Sequence, residues 1–397
     1  MKSRRLIPFH RPSIGKEELR EVSKVLRSGW LTTGPRTAEF ERQFASYVGA
    51  NHALATSSGT AAMHLALSAL DIGPGDEVIT TPLTFCSTIN TIFHVGATPV
   101  LADVGPDGNI DPHAIAARIS PKTKAIIPVH LAGLPCRMDE IWSLARRHGL
   151  FVVEDAAHAV GSHYGLIPIG SGFSDAVAFS FYATKNLTTG EGGMVTTRSR
   201  DLLDHMKTLC LHGITKDAWN RYSENGNWYY QVVACGFKYN LTDIQSAIGI
   251  HQLRKQEQFI EIRRRYARSY QQMFNDLPEL ETAPECEYGR HSWHLYLLRL
   301  NLGRLSIGRD EFIRELRRKN VAASVHFIPI PLHPYFAPHA SLPRNHCPRA
   351  LELYRRTVSL PLYPAMTEHE VRHVGEAVRC VVREARKATT VGLARGI

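Results

Sequence analysis

The sequence predicts an α/β protein: a mainly parallel sheet sandwiched by helices, followed by a smaller C-terminal α+β domain. From Asn51 to Asp155, short apolar runs alternate with helical stretches, the pattern that right-handed βαβ crossovers leave in a chain. After a long helical stretch over 241–274 the alternation gives way to mixed strands and helices. A length of 397 residues exceeds one small core and suits one large and one smaller domain.

The first element is a helix over 15–28, with Leu19, Val22, Val25 and Leu26 on one face and Gly29 to stop it. The turn-rich WLTTGP stretch follows, and a second helix over 36–48 ends at Gly49. Strands are expected over 52–56, 77–80, 99–103, 124–130, 151–155 and 176–181. Helices over 60–70, 84–95, 112–119 and 138–148 fall among them. Next come a strand ending at Thr197, a helix over 201–211, and a loop over 212–237 rich in Trp, Tyr, Asn and Gly. The smaller domain is expected to hold strands over 294–300 and 323–328 and helices over 309–319 and 368–385. The spans are thus an N-terminal segment (1–35), a large domain (36–250), a small domain (251–385) and a disordered basic tail (386–397).

Composition narrows the function. Seven cysteines are scattered singly, without CxxC spacing, as expected of small core residues in a reducing compartment. No signal-peptide core and no membrane-length apolar run is present, so a cytoplasmic protein without a membrane partner is expected. The net charge of +10 suits an anionic substrate, but much of it lies on helical runs such as Arg263-Arg264-Arg265. No nucleic-acid motif accompanies it. Despite twenty histidines, no HExxH or close ligand spacing marks a metal site.

Ligands of parallel sheets gather beyond the carboxyl ends of the strands. Asp103, His130, Asp155 and Ser180 fall at or near such ends, where each could equally cap a turn. In Ser57-Ser58-Gly59-Thr60 a strand turns into a helix whose first N–H groups suit a phosphate, or an ordinary N-cap. Asp155, in VVEDAAH, could hold a pyridine nitrogen protonated, with His158 three residues on; a structural turn aspartate is the alternative. Phe85 suits core packing or ring stacking, and Asn240 a helix cap. The apolar run ending at Phe181 delivers a single lysine, Lys185, in FSFYATKN before the glycine-rich TTGEGG. An amine there suits Schiff-base chemistry, and also a solvated loop.

Taken together and in this order, SSGTAA, PLTF, VEDAAHA, FSFYATKN with TTGEGG, and GFKYNLTDIQ closely resemble the DegT group of sugar aminotransferases, pyridoxal-phosphate enzymes of the aspartate-aminotransferase-like fold type I. The likeness runs from about Phe9 to Pro364 and includes SGWLTTGP, IGPGDEVIT, TKAIIPVH, HSWHLYLLRL, VHFIPI and SLPLYP. It implies that Lys185 carries pyridoxal 5'-phosphate and that Asp155 faces the pyridinium. By the same match Phe85 stacks on the ring, His158 lies near its phenolic oxygen, and Ser58, Gly59, Thr60 and Ser180 contact the phosphate. Asn240 matches a residue reaching the neighbouring subunit's cofactor, which implies a homodimer with shared sites.

The implied reaction moves an amino group from glutamate to a keto sugar, with pyridoxamine 5'-phosphate in between and Lys185 carrying the proton. Lysine rather than histidine at 185 favours transamination over the dehydration that some relatives perform. The resemblance favours the C4 keto group of a nucleotide-diphosphate sugar, with a free keto sugar, a keto-cyclitol or a non-catalytic regulatory role as alternatives. By segment, Thr32, Trp219, Arg221, Tyr229, His326 and Tyr335 are substrate candidates. Cys86, Cys235 and Pro331 depart from the common pattern beside or within the substrate loops.

Overall fold

A computed structural model describes residues 6–215, 229–339 and 341–387. Its first nine strands are β1 (His52–Thr56), β2 (Glu77–Thr80), β3 (Thr98–Leu101), β4 (Thr123–Ile127), β5 (Phe151–Asp155), β6 (His163–Tyr164), β7 (Ile167–Pro168), β8 (Ala176–Ser180) and β9 (Gly193–Thr197). Seven of them form one sheet in the order β1-β9-β8-β5-β4-β2-β3. Neighbours from β8 to β3 pair in parallel, while β9 is antiparallel to both β8 and β1. The mainly parallel sheet is as expected; its one reversed strand is not visible in the apolar pattern. The connection from β8 to β9 contains no helix that could carry a crossover, so the chain turns directly back.

Helices cover both faces. They are α1 (Lys16–Ser28), α2 (Pro35–Val48), α3 (Gly59–Ala69), α4 (Cys86–His94), α5 (Pro112–Ala116), α6 (Met138–His148) and α7 (Arg200–Cys210). One apolar layer joins Met63, Leu65 and Leu67 of α3 to Val153, Ala178 and Val195 of the sheet and Met206 of α7. A second joins Phe40 and Phe44 of α2 to Phe179 and Phe181. Strand residues alternate between the two layers, which is why these strands are apolar almost throughout.

Helix α1 corrects the sequence reading. It buries Glu18, Glu21 and Val25, while Leu19 and Leu26 stand 68% and 54% exposed. The glutamates are buried because they are paired, Glu18 with Lys255 at 2.8 Å and Glu21 with Arg36 at 2.8 Å. Leu26 lies close in sequence to the exposed Trp30 and Leu31.

The expected helix over 241–274 is two, α8 (Asp243–Arg254) and α9 (Gln256–Phe274). Lys255 separates them, with φ −93° and ψ −5° and its ammonium on Glu17 and Glu18. The C-terminal part adds β10 (Leu280–Glu281), β11 (Gly289–Arg290), β12 (Tyr296–Leu300), α10 (Arg309–Arg318), α11 (Pro348–Arg356), β13 (Thr357–Leu360) and α12 (Glu368–Ala385). Strands β10, β12 and β13 form a small sheet, and β11 pairs with the β6–β7 hairpin. Tyr270, Phe274, Tyr296, Leu298, Phe312 and Val378 build its core, which Ile7 from the N-terminal segment joins.

The strand expected over 323–328 is absent, because this span pairs with the outer edge of β13 at a single residue. Ser324 makes one isolated bridge to Ser359, and the chain then turns toward the main cavity. The expected tail lies, apart from Arg386 and Lys387, outside the described residues.

Candidate active site

The adjacent strands β5 and β8 run in parallel, Asp155 pairing with Ala178, and both end on one cavity of about 460 Å³. That cavity is lined by Ser58, Gly59, Thr60, Phe85, Asp155, His158, Ser180, Lys185 and His326, nine residues that the sequence analysis selected. The loop bearing Lys185 is fixed: Lys185 N donates to the Tyr182 carbonyl at 2.9 Å, and the buried Asn186 Nδ2 donates to the Ser292 carbonyl at 3.2 Å. Burial pulls the Lys185 amine down to about 8, with Asp155 acting in the opposite direction. A fixed amine with depressed basicity suits nucleophilic and proton-transfer work.

Asp155 is 4% exposed. Its Oδ1 accepts from Ala157 N at 3.1 Å and its Oδ2 from Thr88 Oγ1 at 2.8 Å. Opposite, Ser58 caps α3 by accepting from Ala61 N at 3.0 Å, which leaves the Gly59 and Thr60 amides without an intrahelical acceptor. Close approach requires glycine here. A Cβ on Gly59 would meet Ser180 Cβ at 2.9 Å, and one on Gly193 would meet the Ser58 carbonyl carbon at 2.4 Å.

The third wall is built from neutral histidines. Burial holds His158 well below the ordinary imidazole range, with Lys185 and His326 adding to the effect. Its Nδ1 accepts from Ala132 N at 3.2 Å, so in the neutral ring the proton sits on Nε2. Burial also lowers His294 strongly, and it lowers His326 to about 4. Asn186 Nδ2 is turned to the Ser292 carbonyl, so its Oδ1 faces His294 Nδ1 at 3.0 Å and accepts from it. Phe327 stacks on His158 at 5.7 Å, and Phe9 stacks on His326 at 5.4 Å.

This donor set suits the expected cofactor: an amine for an aldehyde, a carboxylate for a pyridine nitrogen, and open amides with a hydroxyl at a helix N-terminus for a phosphate. No group of side chains able to hold a metal occurs among the described residues.

Other selected residues lie elsewhere. Asn240 Nδ2 donates to Thr33 Oγ1 at 2.7 Å, and Asn240 lines a separate cavity of about 360 Å³. Thr32 is exposed and engages Asp243 N through its carbonyl. Tyr229 is 51% exposed, and Tyr335 is 67% exposed against Phe93 and His339. Trp219 and Arg221 fall outside the described residues.

Sequence reasoning missed Phe9, His10, Thr84, Tyr182, Glu191 and His294 as lining residues. Thr84 sits inside PLTF and His294 inside HSWHLYLLRL, so their segments carried a signal. Phe9 and His10 stand at the start of the likeness but were not singled out, because the N-terminal segment reaches the cavity through long-range pairing such as Ile7 with Val321.

The model of the DegT/DnrJ/EryC1/StrS aminotransferase family matches residues 12–379. Over 386 residues the chain is 50% identical to spore coat polysaccharide biosynthesis protein SpsC of Bacillus subtilis (strain 168), covering 97% of this chain and 99% of that protein. Among solved structures it is similar to Spr1654 of Streptococcus pneumoniae, a candidate sugar aminotransferase, in its PMP form. The identity is 33%, the TM-score 0.89, and the coverage 95% of this chain and 99% of that one. It is also similar to PseC of Helicobacter pylori, an aminotransferase involved in the biosynthesis of pseudoaminic acid, at 30% identity and TM-score 0.88, covering 96% and 100%.

Proposed function

The chain belongs to the DegT/DnrJ/EryC1/StrS aminotransferase family, and from that premise we propose that it transfers an amino group from glutamate to the C4 keto group of a nucleotide-diphosphate sugar. The cofactor is pyridoxal 5'-phosphate. The observation that carries this reading is the convergence of Lys185, Asp155 and the α3 N-terminus on one cavity.

When bound, the cofactor supplies an aldehyde that captures the donor's nitrogen and a ring that accepts electron density from the bond being broken. Lys185 Nζ would hold it at rest. Once the donor's nitrogen had taken its place, Nζ would accept the proton from the donor's Cα and pass it to the cofactor carbon that had borne the aldehyde, general acid–base work worth about 10²–10⁴ in rate. Asp155 would hold the proton on the ring nitrogen, and His158 would offer its Nε2–H to the ring's phenolic oxygen. The Gly59 and Thr60 amides, with Ser180, would receive the phosphate. Water would release the donor's carbon skeleton as 2-oxoglutarate, and the keto sugar would then take up the amino group and give up its carbonyl oxygen as water.

The net charge of +10 favours the approach of an anionic substrate, although in the cavity itself Lys185 stands beside Asp155 and Glu191. Asn240, placed away from this chain's cavity, and the exposed Ile14, Leu19, Leu26 and Trp30 support a homodimer in which Asn240 serves the neighbour's site. A cytoplasmic location fits nucleotide-sugar chemistry.

The test is reconstitution with pyridoxal phosphate followed by borohydride, which should fix the cofactor's mass on the peptide containing Lys185. Glutamate should convert the bound cofactor to its pyridoxamine form, and keto-sugar nucleotides should reverse that, more effectively than free keto sugars. Turnover retained by Lys185→Ala would sink the assignment, and equal reversal by free sugars would remove the nucleotide.

A further inference from the structure

Asp155 is gripped by a directed chain of hydroxyls. Thr84 and Thr88 lie at the start of α4 and are 1% and 0% exposed. Their Oγ1 atoms are 2.8 Å apart, and Thr88 Oγ1 lies 2.8 Å from Asp155 Oδ2. A carboxylate only accepts, so the Thr88 proton is committed to Asp155. A hydroxyl carries one proton, so the contact between the threonines is made by Thr84, which donates to Thr88. Thr84 then presents only lone pairs to the cavity it lines.

We propose that Thr88, backed by Thr84, is a positioning residue for the transfer reaction. It draws charge from Asp155 so that the proton shared with the cofactor's ring nitrogen rests on the nitrogen. This deepens the functional reading above and rests on it. In a dry cavity a bare carboxylate facing a pyridinium gains by taking the proton, because two charges become none. Donors on the carboxylate oppose that transfer: Ala157 N on Oδ1 and Thr88 on Oδ2 supply one each. The bond from Thr84 polarises the Thr88 hydroxyl and strengthens its donation. A ring that keeps its proton is the stronger electron sink.

The experiment compares Thr88→Val, which keeps the shape and removes the hydroxyl, with Thr88→Ser, which keeps the hydroxyl, and with Thr84→Val. Each is loaded with pyridoxal phosphate labelled with ¹⁵N in the ring, and the nitrogen's NMR shift is read beside kcat and KM. Thr88→Val should move the ring nitrogen toward the unprotonated range and lower kcat about tenfold, with the donor's KM within about twofold of the parent. Thr84→Val should move both in the same direction by less, and Thr88→Ser should restore both. A parental nitrogen shift and kcat in Thr88→Val would overturn the proposal alone. Equal impairment in Thr88→Ser would overturn it too, by assigning the effect to packing of the methyl group. Failure of the unsubstituted protein to bind the cofactor would instead overturn the functional reading and this proposal together.

Discussion

At the scale of single residues, the Lys185 amine titrates near 8 because burial disfavours its charge, against 10.5 for an ordinary lysine. Between those values the unfolded chain binds a proton that the folded chain does not, so the stability of the cofactor-free protein rises with pH across that window. Replacing the amine removes both the penalty and its pH dependence. Lys185→Met should therefore be more stable than the parent at pH 7 without cofactor and should lack the rise between pH 8 and 10.5. Urea unfolding at both ends of the window reads the difference, and a less stable Lys185→Met would contradict it. The candidate lysine was legible in the sequence, because one lysine follows a buried apolar strand before a glycine-rich turn. Its altered basicity was not, since that depends on burial, to which Ser292 and His294 contribute by packing against the neighbouring Asn186 from a hundred residues away.

At the scale of elements, the site depends on how closely α3 approaches β9. Gly193 lies where a Cβ would meet backbone atoms of Ser58 and Gly59 at 2.4 and 2.6 Å, and backbone cannot swing aside as a long side chain can. Gly193→Ala should displace the first turn of α3, weaken cofactor binding at least tenfold and destabilise the fold by about 1–3 kcal/mol. Equilibrium dialysis and urea unfolding measure the two effects, and unchanged affinity would show that the α3 turn does not hold the phosphate. The start of α2 makes a second case. Asp243 of α8 accepts from Gly34 N at 2.8 Å, Arg36 N at 3.1 Å, Thr37 N at 2.9 Å and Thr37 Oγ1 at 2.7 Å. Asp243→Ala leaves the three backbone donors unpaired, while Thr37 Oγ1 keeps Ser246 Oγ at 2.9 Å, and should cost about 2–4 kcal/mol, read from the urea midpoint. The glycine stops at Gly29 and Gly49 and the strands β2, β5 and β9 were legible because their signals are local. The orientation of α1 was not, because its buried glutamates are tolerable only once Lys255 and Arg36 arrive.

For the whole molecule, acid should be the weak direction. His10 and His326 titrate near 4 and His291 near 3, all through burial, and His158 and His294 lie well below 6.5. As pH falls from 6.5 to about 4, the unfolded chain takes up these protons first, so stability falls with them. Glu41, pushed up to about 7 by burial, acts in the opposite sense between 4.5 and 7 but stands against five imidazoles. The thermal midpoint should drop steadily between pH 6.5 and 4.5, and a flat or rising midpoint would contradict this balance. By itself the sequence determined the α/β class, most element positions and nine of the residues that line the main cavity. Apolar periodicity and turn residues are local, and the motif order is preserved along the chain. Tertiary structure alone decided the reversed β9, the outward face of α1, the removal of Asn240 to a second cavity, and the directed hydroxyl chain onto Asp155. Each of these depends on partners distant in sequence, whose distances and proton directions no spacing of residue types encodes.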